Sequence, residues 1–357
     1  VALNKFDGLA GMTCCDLSNT IWAFAVVGVH HDRLFDALEK QVILRINRAL
    51  SGTRSSAAFK GQELANCIWA SASVNRRNPD LLDAVSVYAK QMVTGSDGKV
   101  TAQSIHDYFL QQELGNLAWA CAVMDYYPPD LMHIIFQGIV GVGPEQNLKY
   151  MSQFLERGLQ PQVTMSLLYA QAGMMLNGID YGLTLPDDFW GGWFPVTDFD
   201  QDGTGDLKLT TSKVQSGVSD ALRRIGFDHV EEHVIPFSEN DDISPKVLSL
   251  DIAVPERKIG IEVDGPSHFV HNMKNWEPQS RPNPNAKKQT QQKQDPTEYV
   301  FEWSYEDQDM NGSTALKDRL LEKMGWTIVH IPFWVWMEMS HSPSDQEKYC
   351  RELVANL

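Results

Sequence analysis

The sequence predicts two architectures in one chain: an all-α array of helical hairpins, a solenoid, followed by an α/β domain. Three observations carry this. A tryptophan-marked phrase recurs through the first half, the apolar period there is helical, and from residue 212 the text turns to short β-rich runs alternating with helical ones. With 357 residues the chain is long enough for two or three compact domains.

The phrase reads Leu17-x-Asn19-x-x-Trp22-Ala23, then Leu64-x-Asn66-x-x-Trp69-Ala70, then Leu114-x-Asn116-x-x-Trp119-Ala120, with the tryptophans 47 and 50 residues apart. Leu17, Ile21 and Phe24 form one stripe of a 3.6-residue period. Turn signals follow at His31-Asp32, Asn78-Pro79-Asp80 and Pro128-Pro129-Asp130. Beyond them Leu34, Leu81 and Leu131 each open a second apolar-periodic segment. One unit is therefore helix, turn, helix and connector. Tryptophan and asparagine read as packing residues, the asparagine amide bonding the backbone of the turn beside it. A worn fourth unit has Tyr169-Ala170 in the place of Trp-Ala, with Thr164 and Ser166 at the leucine and asparagine positions. Terminal repeats decay in this way when one face no longer meets another repeat.

This phrase resembles the octotricopeptide-type repeats and the helical units of the Fas-activated-kinase-like mitochondrial family, over roughly Thr13 to Asn177. The resemblance implies organellar RNA binding, in mitochondria or alternatively in plastids. The spacing of 47 to 50 residues departs from the family's shorter unit, so no code of one repeat per base carries over.

Charge limits how RNA could be held. The net charge of −16 is the wrong sign for a protein coating nucleic acid over its whole surface. It suits equally a subunit packed among other proteins, such as one in a mitochondrial ribosome. The densest positive stretch holds Lys40, Arg45, Arg48, Arg54, Lys60, Arg76 and Arg77, opposed only by Glu63. Phosphate contact needs such local density, so Arg45, Arg48, Arg54, Lys60, Arg76 and Arg77 are the candidate RNA-binding residues.

No run of about 18 apolar residues is free of charges or breakers, so no membrane insertion is expected. The sequence starts without Met and its first residues carry no basic-then-apolar signal. A removed transit peptide and a further N-terminal region fit this equally. Cys14, Cys15, Cys67, Cys121 and Cys350 contain no C-x-x-C pair, which argues against a cysteine zinc site and suits a reducing compartment.

The repeats are expected over 1–179 and an acidic linker rich in Gly, Pro and Trp over 180–211. The linker holds Asp198, Asp200 and Asp202 at positions 1, 3 and 5 of a calcium-loop pattern. Leu209 stands where the bidentate Glu belongs, so an acidic turn is the preferred reading over calcium.

The α/β domain is expected over 212–342, with a final helix over 343–357 opened by the capping box Ser344-x-x-Glu347. A helix runs from Ser212 to Ile225, stopped by Gly226, and a strand from Val230 to Phe237. Two further strands, Val247 to Val254 and Lys258 to Asp264, are joined by a tight turn. Pairing Val254 with Ile259 places Asp251 opposite Glu262. Leu250, Ile252, Ile261 and Val263 then face the core, and Asp251, Glu262 and Asp264 share the other face. Three carboxylates so placed repel one another and call for a cation, hydrogen-bond donors or water. Magnesium-dependent nucleases present their ligands in this way, which makes Asp251 and Glu262 candidate magnesium ligands.

Ile259 to Phe269 (IGIEVDGPSHF) and then Thr314 to Leu321, Gly325-Trp326 and Val329 to Trp336 resemble the signature of the RAP domain, over about Leu248 to Met339. The resemblance implies a restriction-endonuclease-like fold of the PD-(D/E)xK type and a candidate catalytic set of Asp251, Glu262, Asp264 and His268. Two departures stand out. The pattern Glu-x-Lys is here Glu262-Val263-Asp264, leaving His268, Lys258 or Lys317 as substitutes for the lysine. An insertion rich in Gln, Asn, Pro and Lys occupies 270–311. The reading is therefore RNA association without turnover, the carboxylate set being a relic. A structural subunit of the mitochondrial ribosome, contacting rRNA and proteins, is the alternative. A magnesium-dependent endoribonuclease is the third reading.

Overall fold

The computed structural model describes residues 6–52, 59–141, 161–183, 212–235, 248–273, 280–282, 297–299 and 308–357. Arg54, the calcium-loop residues Asp198, Asp200 and Asp202, and much of the 270–311 insertion lie outside the described residues.

The first half is helical: α1 (Cys14–Val26), α2 (Asp32–Leu50), α3 (Gly61–Ser73), α4 (Pro79–Val93), α5 (Ala102–His106), α6 (Gln111–Met124), α7 (Pro129–Val140) and α8 (Pro161–Leu176). The turn signals act as caps. The His31 ring accepts from the Leu34 N–H, Asn78 Oδ1 accepts from the Leu81 N–H at 3.1 Å, and Pro79 and Pro129 sit where a helix has no use for an N–H. The Trp-bearing helices α1, α3 and α6 and the Tyr169-bearing α8 pack in one row, and α2, α4 and α7 in a second. Leu17, Leu64 and Leu114 are fully buried between the rows. Ala70 and Ala120 are buried too, whereas Ala23 is exposed because nothing among the described residues stacks on α1 from its outer side.

The helices of the first row end alike. Gly28, Asn75, Asp125 and Gly178 all take φ between 53° and 67°, the left-handed turn that stops a helix. Their chain then leaves in the same direction, so the C-termini of α1, α3, α6 and α8 share one edge of the array. A short strand β1 (Val29–His30) follows α1 at that edge.

The second half contains α9 (Lys213–Arg224), β2 (Val230–Ile235), β3 (Leu248–Val254), β4 (Ile259–Asp264), β5 (Phe269–Asn272), β6 (Ser280–Pro282), β7 (Thr297–Tyr299), β8 (Gln308–Met310), α10 (Gly312–Lys323), β9 (Thr327–Pro332), α11 (Phe333–Glu338) and α12 (Pro343–Ala355). The main sheet has the order β2-β3-β4-β9, antiparallel except for the parallel pair β4 and β9. A parallel pair needs a long crossover, and α10 lies within it. One face packs Ile252, Ile261, Val263 and Ile331 against Val218, Leu222, Trp336 and Cys350 from α9, α11 and α12. The other face meets α10 through Leu316, Leu320 and Leu321, continuous with the core of the helical array.

Ser342, not Ser344, caps α12, accepting from the Asp345 N–H. Pro343 fixes the start, since proline suits the first helical position.

Helix α10 is set against the shared edge of C-termini. A Cβ on Gly312 would fall 2.0 Å from the Ala72 carbonyl oxygen of α3, so only glycine permits this approach. Arg319 Nη2 donates to the carbonyls of Ala122 and Val123 at the end of α6, the latter at 3.0 Å. Its Nε lies 3.7 Å from Asp125. Lys323 Nζ reaches Asp125 Oδ2 at 2.9 Å and Asn177 Oδ1 at 2.7 Å, bridging α6 and α8. At the α1 end β5 pairs parallel to β1, and the His271 N–H donates to the Gly28 carbonyl at 2.7 Å. The last carbonyls of a helix lack partners and carry partial negative charge, so donors and cations are what this edge requires. Replacing Arg319 with Met is expected to lower stability to urea by about 2–3 kcal/mol, through lost charged hydrogen bonds and stranded carbonyls. An unchanged urea midpoint would contradict this role.

Candidate functional site

The register expected from the tight turn is the one observed: Val254 pairs with Ile259, Ala253 with Gly260 and Ile252 with Ile261. The ladder then breaks at Asp251. Between β2 and β3 the pairs on either side of Glu232 and Asp251 form, and Glu232 itself takes φ 53°. Asp251 Oδ2 accepts from the Val263 N–H at 2.8 Å, replacing a ladder bond with a side chain. Gln215 Nε2 donates to the Asp251 carbonyl at 3.3 Å and to Glu232 Oε1 at 2.6 Å.

This break corrects one expectation. Alternation put Leu250 on the same face as Ile252, Ile261 and Val263. Instead Leu250 packs in the core shared with α10 and the helical array, where it would meet a Cβ on Gly260 at 2.7 Å. An interrupted ladder resets the alternation of side chains, and a sequence pattern that assumes period two cannot register it.

The carboxylate face is covered by α10. Glu262 is 2% exposed and Asp264 0%. Lys317 from α10 places Nζ 2.6 Å from Glu262 Oε2. Of the two candidate lysines Lys317 is the one that reaches Glu262; Lys258 points away, donating to the Met324 carbonyl at 3.0 Å. Burial pushes Glu262 up to about 7, against the pull of Lys317. Burial also raises Asp251, opposed by the Val263 N–H.

Asp264 sits between two imidazoles. His330 Nδ1 lies 2.6 Å from its Oδ2, and His268 Nδ1 lies 2.8 Å from its Oδ1 as an ion-pair contact off the line of a hydrogen bond. His330 Nε2 continues to Asp318 Oδ2 of α10 at 3.0 Å. Burial works against the Asp264 carboxylate, yet the two histidines hold it down at about 2. Burial likewise opposes charge on His330, but Asp264 and Asp318 outweigh it and push its pKa up to about 10. His330 and Asp318 were not among the expected site residues. Pairing with Glu262 across β4 and β9 is what brings His330 in, and that pairing joins residues 68 apart in the sequence.

Asp251, Glu262, Asp264 and His268 are therefore brought into one neighbourhood. The cations that answer them are the chain's own. Among the described residues no cluster of three or more His, Cys, Asp or Glu is arranged to hold a metal ion.

A family model, that of the RAP domain, matches residues 261–353. Residues 261–353 are a RAP domain. The match starts inside β4 and ends inside α12, so it includes Glu262, Asp264, His268, Lys317 and His330 but not Asp251 on β3. No curated protein matches the chain.

The expected phosphate-binding stretch is dispersed. Arg76 lies between the first two hairpins, with Nε and Nη2 each 3.0 Å from a carboxylate oxygen of buried Glu39, and with Asp32 and Asp36 beside it. The Ser71 hydroxyl and the Asn78 amide complete the Glu39 shell. Glu39 stands one residue before the stretch, which is why counting within it missed the pairing. Arg45 donates to the carbonyls of Ala10 and Met12. Neither guanidinium is free to meet a phosphate without breaking these bonds. Arg48, Lys60 and Arg77 are exposed.

The Trp row is partly open. Trp69 and Trp119 are half-buried, their ring centroids 6.2 Å apart, and Trp22 is 42% exposed. The asparagines do not brace the turns as expected. Asn19 donates to Cys15 Sγ, and the Asn66 and Asn116 amides make no hydrogen bond among the described residues. Trp69, Asn116, Trp119 and Tyr169 instead line a groove of about 1010 Å³, whose other wall includes RAP-domain Pro266, Ser267, Phe269, Val270, His271 and Asn311.

Lys317→Met tests the electrostatics. In the wild type, the raised Glu262 pKa means stability falls as pH climbs from the usual carboxylate range through about 7, because the unfolded chain ionises first. Without Lys317 the pKa rises further and the decline extends to higher pH. The variant is expected to lose roughly 3 kcal/mol at pH 9, much less at pH 5, and to recover in the Lys317→Met/Glu262→Gln double variant. A loss independent of pH in thermal melts would contradict the pairing.

Proposed function

We propose that this chain is an organellar RNA-binding protein, mitochondrial rather than plastid, acting in RNA metabolism or ribosome assembly without turnover. The observation that carries the reading is a RAP domain seated on the C-terminal edge of Trp-marked helical hairpins, the two together walling one groove. The Leu-x-Asn-x-x-Trp-Ala phrase supports reading the hairpins as octotricopeptide-like, since it recurs at the same place in three units. Carboxylates on neighbouring strands β3 and β4 support a restriction-endonuclease-like descent for the domain.

The carboxylate face is read as structural. Glu262 is closed onto Lys317, Asp251 holds the Val263 N–H, and Asp264 lies between His268 and His330. A magnesium ion at Asp251 and Glu262 would have to displace Lys317 from a buried pair. A net charge of −16 favours a role among other subunits, such as those of a mitochondrial ribosome, over that of a free RNA-coating protein.

Ultraviolet crosslinking of the native protein in organelle extract should recover covalently bound RNA, and added magnesium should leave that RNA intact. Absence of crosslinked RNA would refute the binding. Magnesium-dependent cleavage abolished by Asp251→Ala would refute the reading of no turnover.

A further inference from the structure

We infer that the groove between the Trp row and the RAP domain binds unpaired RNA bases by stacking and amide hydrogen bonding, with the phosphates left outside. This rests on the RNA-binding reading above and specifies its ligand and surface.

The lining chemistry is the first argument. Among the described residues that line it there is no Asp, Glu, Lys or Arg. A duplex offers proteins its phosphates, 2′-hydroxyls and helical shape, and a groove without cations has nothing with which to neutralise phosphates. What it does offer is aromatic faces and amides. Trp69, Trp119 and Tyr169 occupy the same position on three successive helices, each half-buried. Gln112, Asn116 and Gln162 line the groove beside them, and their side-chain amides have no partner among the described residues. Each amide pairs a donor with an acceptor, which is the pattern of a nucleobase edge.

Size and geometry are the second. About 1010 Å³ lies at the upper limit of pockets that take one drug-sized molecule, so it suits a segment of a polymer. The Trp69 and Trp119 rings, tilted by 35° with centroids 6.2 Å apart, are already in contact. A planar ligand therefore lies across their open faces and does not slide between them. The facing wall supplies Phe269, itself packed on Trp334 with ring centroids 4.7 Å apart. Base–aromatic stacking tolerates any base, and amides add preference among them. An extended peptide would also satisfy the amides, but it has no planar ring at each step to match the repeated aromatic faces.

The test uses the whole chain and a random-sequence 14-nucleotide RNA pool, single-stranded or annealed to its complement. Binding is followed by anisotropy at two salt concentrations. The single-stranded pool is expected to bind at least tenfold tighter than the duplex. Trp119→Ala should weaken it roughly 5- to 100-fold, by about the same factor at low and high salt, and Trp119→Phe should restore part of the loss. Gln112→Glu, an exposed change that leaves packing alone, should weaken it as well. If RNA binds but both Gln112→Glu and Trp119→Ala leave affinity unchanged, or if duplex binds equally well, the inference fails while RNA binding stands. If the wild-type chain binds no RNA, the broader reading fails with it. Binding of a random peptide pool that Gln112→Glu abolishes, without RNA binding, would assign the groove to a peptide.

Discussion

Helix α10 answers two accumulations of negative charge at once. On one side lie Glu262 and Asp264 of the sheet: Lys317 meets Glu262, and His330, held on its far side by Asp318 of α10, meets Asp264. On the other lie the last carbonyls of α6, met by Arg319, and the Asp125 carboxylate and Asn177 side-chain oxygen beyond α6 and α8, met by Lys323. Buried carboxylates and the partial negative charge of helix C-termini are each costly alone, and the cations of a helix laid between them offset both. The apolar residues Leu316, Leu320 and Leu321 extend the same contact, so one core runs through the sheet face and the helical array.

This arrangement sets the surroundings of the carboxylates. Three acids on adjacent strands invite a nuclease reading while the sheet is imagined open to water. With α10 over them, they are met by the Lys317 ammonium, the His330 imidazole and the Val263 N–H. The same docking brings Pro266 to His271 to face the Trp row, and so creates the groove. The groove thus lies between the two parts, apart from the buried acid face.

Much of this was legible in the residues. The Trp phrase and its turn signals give the hairpins, since capping and periodicity are local properties. The short turn after Val254 gives the β3–β4 register, because a tight turn leaves little choice. Three things were not legible. The ladder break at Asp251 depends on Glu232 and Gln215, which come from other elements. The pairing of Arg76 with Glu39 crosses two hairpins. The docking of α10 depends on residues already explained as part of the RAP signature. One signal for it was present: Gly28, Asn75 and Asp125 each fall six residues after a repeat tryptophan, marking where the helices stop together.

The claim that α10 joins both halves into one body is tested most directly by amide hydrogen exchange of the whole chain. The account predicts that α10 amides are protected to the same degree as those of α6 and β4, all three opening together as denaturant is added. Rapid exchange of α10 while α6 and β4 remain protected would contradict it.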